Sequence, residues 1–273
     1  MTREPLPYAV NLSLLFTELP LLERPAAAAR AGFGAVEFWW PFPTTTPDPA
    51  EVDDFVRAVE RAGVRLIGLN FSAGDMPAGD RGLVSWPGRE ADFGASVEVA
   101  VRIGDRLGCR AFNALYGNRI DGVDAAGQDE VAVRNLVHAA HAVAAIGATV
   151  LIEPVSGAPR YPLRTAADAI GVIDRVAAQG AENLGLLADL YHLTVNGDDL
   201  DKVIARYADR IAHVQIADAP GRHEPGTGEL DIFGYVDKIG ATGYRGYVAA
   251  EYVPSGASAD SFAWLPIRQG VTE

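Results

Sequence analysis

One cysteine, Cys109, stands in 273 residues, so neither an internal disulfide nor a cysteine-based metal cluster is open to this chain. Long apolar runs are missing as well: none approaches the roughly 20 residues that a membrane span needs. Positive charge is scarce. With 23 lysines and arginines against 36 acids, the formal charge of −13 repels phosphate backbones and argues against nucleic acid as a partner. The same deficit means that an anionic substrate must find a locally positive site. The N-terminal stretch MTREPLPYAVNLSLLF lacks an apolar core followed by a small-residue cleavage site. Together these absences predict a soluble, cytoplasmic protein, in which sequons at Asn11 and Asn70 carry no weight.

Linkers and composition breaks are absent too, so nothing divides residues 1–273 into separate domains. What is present is alternation. Eight short β-rich runs recur: YAVNLSLLF, AVEFWW, RLIGLNF, RAFNALYG, TVLIEPV, LGLLADLYH, IAHVQIAD and YVAAEYV. Segments of helical period separate them, among them Val52, Phe55, Val56, Val59 and Ala62, and Val133, Leu136, Val137, Ala140, Val143 and Ala144. Gly63, Gly108 and Gly147 stand where those helices should stop. Eight such units in one chain of this length predict a single (β/α)8 barrel. A doubly wound dinucleotide-binding sheet is disfavoured. Gly32 and Gly34 precede a strand instead of following one, and the third glycine of the fingerprint is missing.

Residues 71–90, FSAGDMPAGDRGLVSWPGRE, are too many for a simple connection. Leu83 and Trp86 give this segment something to pack with, which predicts a lid over the barrel mouth. FWWPFP, after the second strand, would expose much aromatic surface. It reads as a pocket wall ahead of an oligomer contact, and it leaves room for a homo-oligomer.

In such barrels chemistry sits at the C-terminal ends of the strands. The fifth run places Glu153 there, the sixth Asp189, the seventh Gln215 and the eighth Glu251. The first four end on Asn11, Glu37, Asn70 and Asn113. Three carboxylates converging on one point do not all stay ionised without a positive centre among them. All-oxygen ligation by Glu153, Asp189, Gln215 and Glu251 predicts a hard divalent cation, Mg²⁺ or Mn²⁺, with its identity and necessity left open. His192 and His223 lie at the rim and are candidates to hydrogen-bond a substrate, as is Asn113. Arg89 and Arg222 are the candidates to hold an anionic substrate group. His213 reads as barrel core, His138 and His141 as helix surface, and Cys109 as a buried thiol.

The stretches NLSLLFTELPLLERPAAAARAGFGAVEFWWPFP, GDRGLVSWPGRE, LIEPVSG and HVQIADAPGRHEPGTGELD resemble the hydroxypyruvate isomerase family. This is a branch of the xylose-isomerase-like TIM barrels that includes 2-oxo-tetronate isomerases. The resemblance runs over nearly the whole chain. It implies an enzyme of carbohydrate metabolism in which those four residues bind the ion and Glu153 and Glu251 also act as proton donor and acceptor. The reaction it implies is hydroxypyruvate to tartronate semialdehyde through a metal-stabilised enediolate. The close alternative is 2-oxo-tetronate isomerase, then ketose 3-epimerase, although such epimerases usually offer a histidine where Gln215 stands. Endonuclease IV-like repair would need a histidine-rich zinc cluster and a basic groove. A barrel that binds a sugar or hydroxy acid without turnover is the non-enzymatic alternative.

Overall fold

The computed structural model describes residues 5–265. Eight parallel strands close into a barrel in chain order, β1 pairing with both β2 and β8. They are β1 Tyr8–Asn11, β2 Ala35–Phe38, β3 Arg65–Asn70, β4 Ala111–Asn113, β5 Thr149–Ile152, β6 Leu184–Asp189, β7 Ile211–Ile216 and β8 Val248–Ala250. Each falls inside one of the eight apolar runs and is shorter than it. The ends of the runs leave the sheet but stay buried, as Leu12, Phe71, Tyr116 and Tyr252 do.

Helices α1 (Arg24–Arg30), α2 (Pro49–Ala62), α3 (Glu90–Leu107), α4 (Ala125–Ala144) and α5 (Ala166–Ala177) follow the first five strands. Two helices follow β6, the short α6 (Leu190–Val195) and α7 (Leu200–Tyr207), and α8 (Ile232–Ala241) precedes β8. Helix α2 starts at Asp48, whose side chain and that of Glu51 form a reciprocal capping box, and ends at Gly63 in the left-handed region. It buries Val52, Phe55, Val56 and Val59, the stripe its periodicity predicts. Helix α4 departs from expectation. Val133 and Val137 are only half-buried, whereas Ala132, Asn135 and Ala139 face the core. Asn135 can lie there because its Nδ2 donates to the Val84 carbonyl at 2.9 Å.

That bond helps to anchor residues 71–90. Leu83, Val84 and Ser85 are buried, and the Ser85 N–H donates to the Tyr116 carbonyl at 2.8 Å. Gly82 lets the two backbones meet. Its φ is +124°, and a Cβ there would lie 1.9 Å from the Leu115 carbonyl oxygen. The remainder of the segment stands across a groove of about 900 Å³ from Trp39, Trp40 and Phe42 of the FWWPFP stretch. Cys109 is fully buried, which pushes its thiol pKa up to about 12.

Candidate active site

This groove is lined by none of the strand-end acids. It opens beside the ends of β1–β3, while the acids gather at the ends of β5–β8. Asp189 pairs with Gln215 in the sheet. Glu153 and Glu251 each follow the last paired residue of β5 and β8, and the Glu251 N–H still bonds the Ile216 carbonyl at 3.0 Å. All four side chains are buried.

Their contacts form one connected network. Asp189 caps α6: Oδ1 accepts from the Tyr191 and His192 N–H groups at 2.8 and 3.1 Å. Its other oxygen, Oδ2, lies 3.6 Å from His192 Nε2 and 3.8 Å from Arg222 Nη2. Glu153 accepts from Asn113 Nδ2 at 2.6 Å on one oxygen and faces His192 Nε2 at 3.9 Å with the other. Glu251 accepts from Arg222 Nη2 at 2.6 Å and from Asn11 Nδ2 at 3.0 Å.

Burial raises the pKa of Glu153 to about 8, with the neighbouring charge of Asp189 adding to it and Asn113 and Arg222 opposing. Burial likewise holds Glu251 well above the carboxylate range although Arg222 opposes it, because Glu153, Glu37 and Asp189 crowd around it. Burial disfavours the charge on Arg222, but Glu251, Asp189 and Glu153 outweigh that and raise its pKa.

Of the oxygens on these four side chains, Asp189 Oδ2 and Gln215 Oε1 are buried with no hydrogen-bond partner among the described residues. Each such orphan costs about 1–3 kcal/mol. Glu153, Asp189 and His192 each bring a donor atom within 4.8 Å of the others. The set is compatible with a divalent cation, but His192 is better placed as a hydrogen-bond donor than as a ligand. The Ser156 N–H can only donate, and it donates to His192 Nδ1 at 3.1 Å. Burial lowers the ring's pKa to about 4, so it is neutral and carries its proton on Nε2, facing the carboxylates. Its short distances to Glu153 and Asp189 are therefore not ion pairs.

The remaining sequence candidates fall in different places. Arg222 enters the cluster and lies over the Tyr191 ring at 5.5 Å. Asn113 touches Glu153 and keeps an unpartnered Oδ1. His223 Nδ1 lies 2.8 Å from the Val253 carbonyl, at the edge of the same loop. Arg89 pairs with Asp92, lies over Trp86 and lines the outer groove. Two features escaped the sequence reading. Asp218 organises the seventh loop, accepting from the N–H groups of Ala219, Gly226 and Leu230 at 2.8, 2.7 and 3.1 Å. The Arg222 N–H bonds the Asp218 carbonyl at 3.0 Å, and Arg222 adopts φ +60°, unusual outside glycine. Second, Glu37 binds His213, Gln215 and Asn11 beneath the acids. A buried acid on β2 was visible in the sequence, but not its partners.

The chain thus forms a closed eight-stranded parallel barrel with Glu153, Asp189, Gln215 and Glu251 at the ends of its last four strands. Its fold is that of the xylose isomerase-like TIM barrels. That family's model matches residues 25–267, and the chain belongs to it. Within the family it groups with the hydroxypyruvate and 2-oxo-tetronate isomerases and is itself an isomerase. A Streptomyces coelicolor protein provisionally named hydroxypyruvate isomerase is 54% identical over 95% of each chain. The 2-oxo-tetronate isomerase of Cupriavidus necator is 34% identical over 94% of this chain and 96% of its own. A solved Brucella melitensis structure described as an AP endonuclease, family 2, superposes with a TM-score of 0.87 at 35% identity, over 96% of this chain and 98% of that one.

Proposed function

We propose that the protein interconverts hydroxypyruvate and tartronate semialdehyde, with Glu153 and Glu251 as the proton donor and acceptor. The observation that carries this reading is a pair of buried carboxyl groups at the ends of β5 and β8, both with raised pKa, that share Asp189 and Arg222 as charged neighbours. One glutamate takes the proton from the hydroxymethyl carbon and the other returns a proton to the former carbonyl carbon, while the hydroxyl proton passes from the hydroxymethyl oxygen to the former carbonyl oxygen. Coming from separate strands, they approach the substrate from different sides.

Glu153, Asp189, Gln215 and Glu251 would hold a divalent cation, Mg²⁺ or Mn²⁺, and the unpartnered Asp189 Oδ2 and Gln215 Oε1 fit that role. When bound, the ion supplies positive charge beside the substrate oxygens on which negative charge develops. Arg222 holds the substrate carboxylate: its Nε has no partner among the described residues, while Nη2 is on Glu251. The Nε2–H of His192 donates to a substrate oxygen. Residues 71–90 act as a lid that limits water, with Arg89 at their end.

A side-by-side assay of hydroxypyruvate and 2-oxo-tetronate, with and without added Mg²⁺ or Mn²⁺, tests the reading. Turnover of hydroxypyruvate is expected, and Glu153→Gln or Glu251→Gln should each lower kcat by about 10²–10⁴-fold. Preferred turnover of 2-oxo-tetronate would move the assignment one carbon along. No conversion of either compound, with no deuterium exchange from D₂O into bound substrate, would leave only a binding barrel.

A further inference from the structure

Beneath the proposed ligands lies a polar layer that the reaction itself does not use. Glu37, buried near the end of β2, accepts on Oε1 from Gln215 Nε2 at 2.6 Å and from Asn11 Nδ2 at 2.9 Å. Its Oε2 lies 2.6 Å from His213 Nε2. The barrel makes room for this carboxylate. The β2–β3 register shifts between Val36 and Glu37, which brings Glu37 opposite Gly68. A Cβ on residue 68 would lie 3.1 Å from Glu37 Oε2 and 3.2 Å from its Cβ. A second register shift, between Leu186 and Leu187, brings His213 to its place on β7.

The orientation of Asn11 is fixed independently of Glu37. Its Oδ1 accepts from the Ser13 N–H at 2.9 Å, so Nδ2 must face Glu37 and Glu251. Gln215 has no such anchor. An amide can present either its oxygen or its NH₂ group to the cavity, and only the oxygen can serve a cation. With Nε2 on Glu37, Oε1 is the atom left unpartnered and buried.

We infer that Glu37 is a positioning residue: it holds Gln215 by its NH₂ group, so that Gln215 presents Oε1 to the cation site. This rests on the metal reading of Gln215 proposed above. Such supporting contacts typically change metal affinity 10–100-fold.

The test is Mn²⁺ binding by calorimetry to the metal-free protein, with thermal melting as the check on folding, across four proteins: wild type, Glu37→Leu, Gln215→Glu and the double variant. Glu37→Leu should weaken Mn²⁺ binding about 10–100-fold, because Gln215 can then turn its NH₂ group inward. Adding Gln215→Glu to that variant should recover most of the affinity, since a carboxylate offers oxygen either way round. In the wild-type background the same Gln215→Glu change should weaken binding, because Glu37 would then face a second carboxylate. A gain from Gln215→Glu that is the same in both backgrounds overturns the inference, as does unchanged Mn²⁺ affinity in Glu37→Leu. Should Glu37→Leu fail to fold, Gln215→Glu alone decides: weaker binding supports the inference and tighter binding overturns it. A wild type that binds no Mn²⁺ removes the metal reading itself, a result distinct from either of these.

Discussion

Glu153 is an acid at the end of an apolar strand, and burial raises its pKa from the ordinary 4.5 to about 8. The sign of its effect on stability follows. Above about pH 4.5 the unfolded chain has released this proton, while the folded chain keeps it until about pH 8. Raising the pH through that window therefore lowers stability. Glu153→Gln removes this contribution. In metal-free buffer, the melting temperature of wild type should fall by several degrees relative to Glu153→Gln between about pH 5 and pH 8. Saturating Mn²⁺, which favours the ionised form, should shrink the difference. A gap that stays constant across the window would mean that Glu153 does not hold its proton.

At the scale of the element, strands and loops differed in how readable they were. Strands buried on both faces appear as apolar runs, so all eight were visible, and an acid closing such a run stands out. Glu153, Asp189 and Glu251 stand out that way, and Gln215 by its place at the end of the strand between Asp189 and Glu251. The Glu37–His213 pair was not, because its members are 176 residues apart and only barrel closure brings them together. Nor did the sequence separate Arg222 from Arg89, since both are loop arginines. What separates them is Asp218, which ties the seventh loop into a compact turn and carries Arg222 inward. Asp218→Asn replaces an acceptor with a donor facing backbone N–H groups. It should raise KM several-fold or more while the metal-free protein keeps its secondary structure by circular dichroism. An unchanged KM would detach Arg222 from substrate binding. Gly82→Ala places a Cβ against the Leu115 carbonyl. It should destabilise the protein by more than about 1 kcal/mol, read as a lower melting temperature, through a shift of residues 71–90.

For the whole molecule, charge decides between two chemistries that similar barrels are named for. The Brucella melitensis relative is described as an AP endonuclease, while the curated relatives named above carry isomerase names. The formal charge of this chain is −13. A duplex approaching the acids at the barrel mouth would meet net repulsion, which the single guanidinium of Arg222 beside Glu251 and Asp189 does not offset along a phosphate backbone. Of the five histidines only His192 and His213 are buried. His192 is tied through Nδ1 to Ser156 and His213 lies on Glu37, so neither offers the histidine-rich setting of a multi-zinc site. A small anion escapes the repulsion because it needs a single arginine. The prediction is that the protein leaves a duplex with one abasic site uncut in Mg²⁺, Mn²⁺ or Zn²⁺, at enzyme concentrations that turn over hydroxypyruvate. The readout is gel separation of the nicked strand. Nicking that disappears in Glu153→Gln would place phosphodiester chemistry in this same site and displace the isomerase as its main reaction.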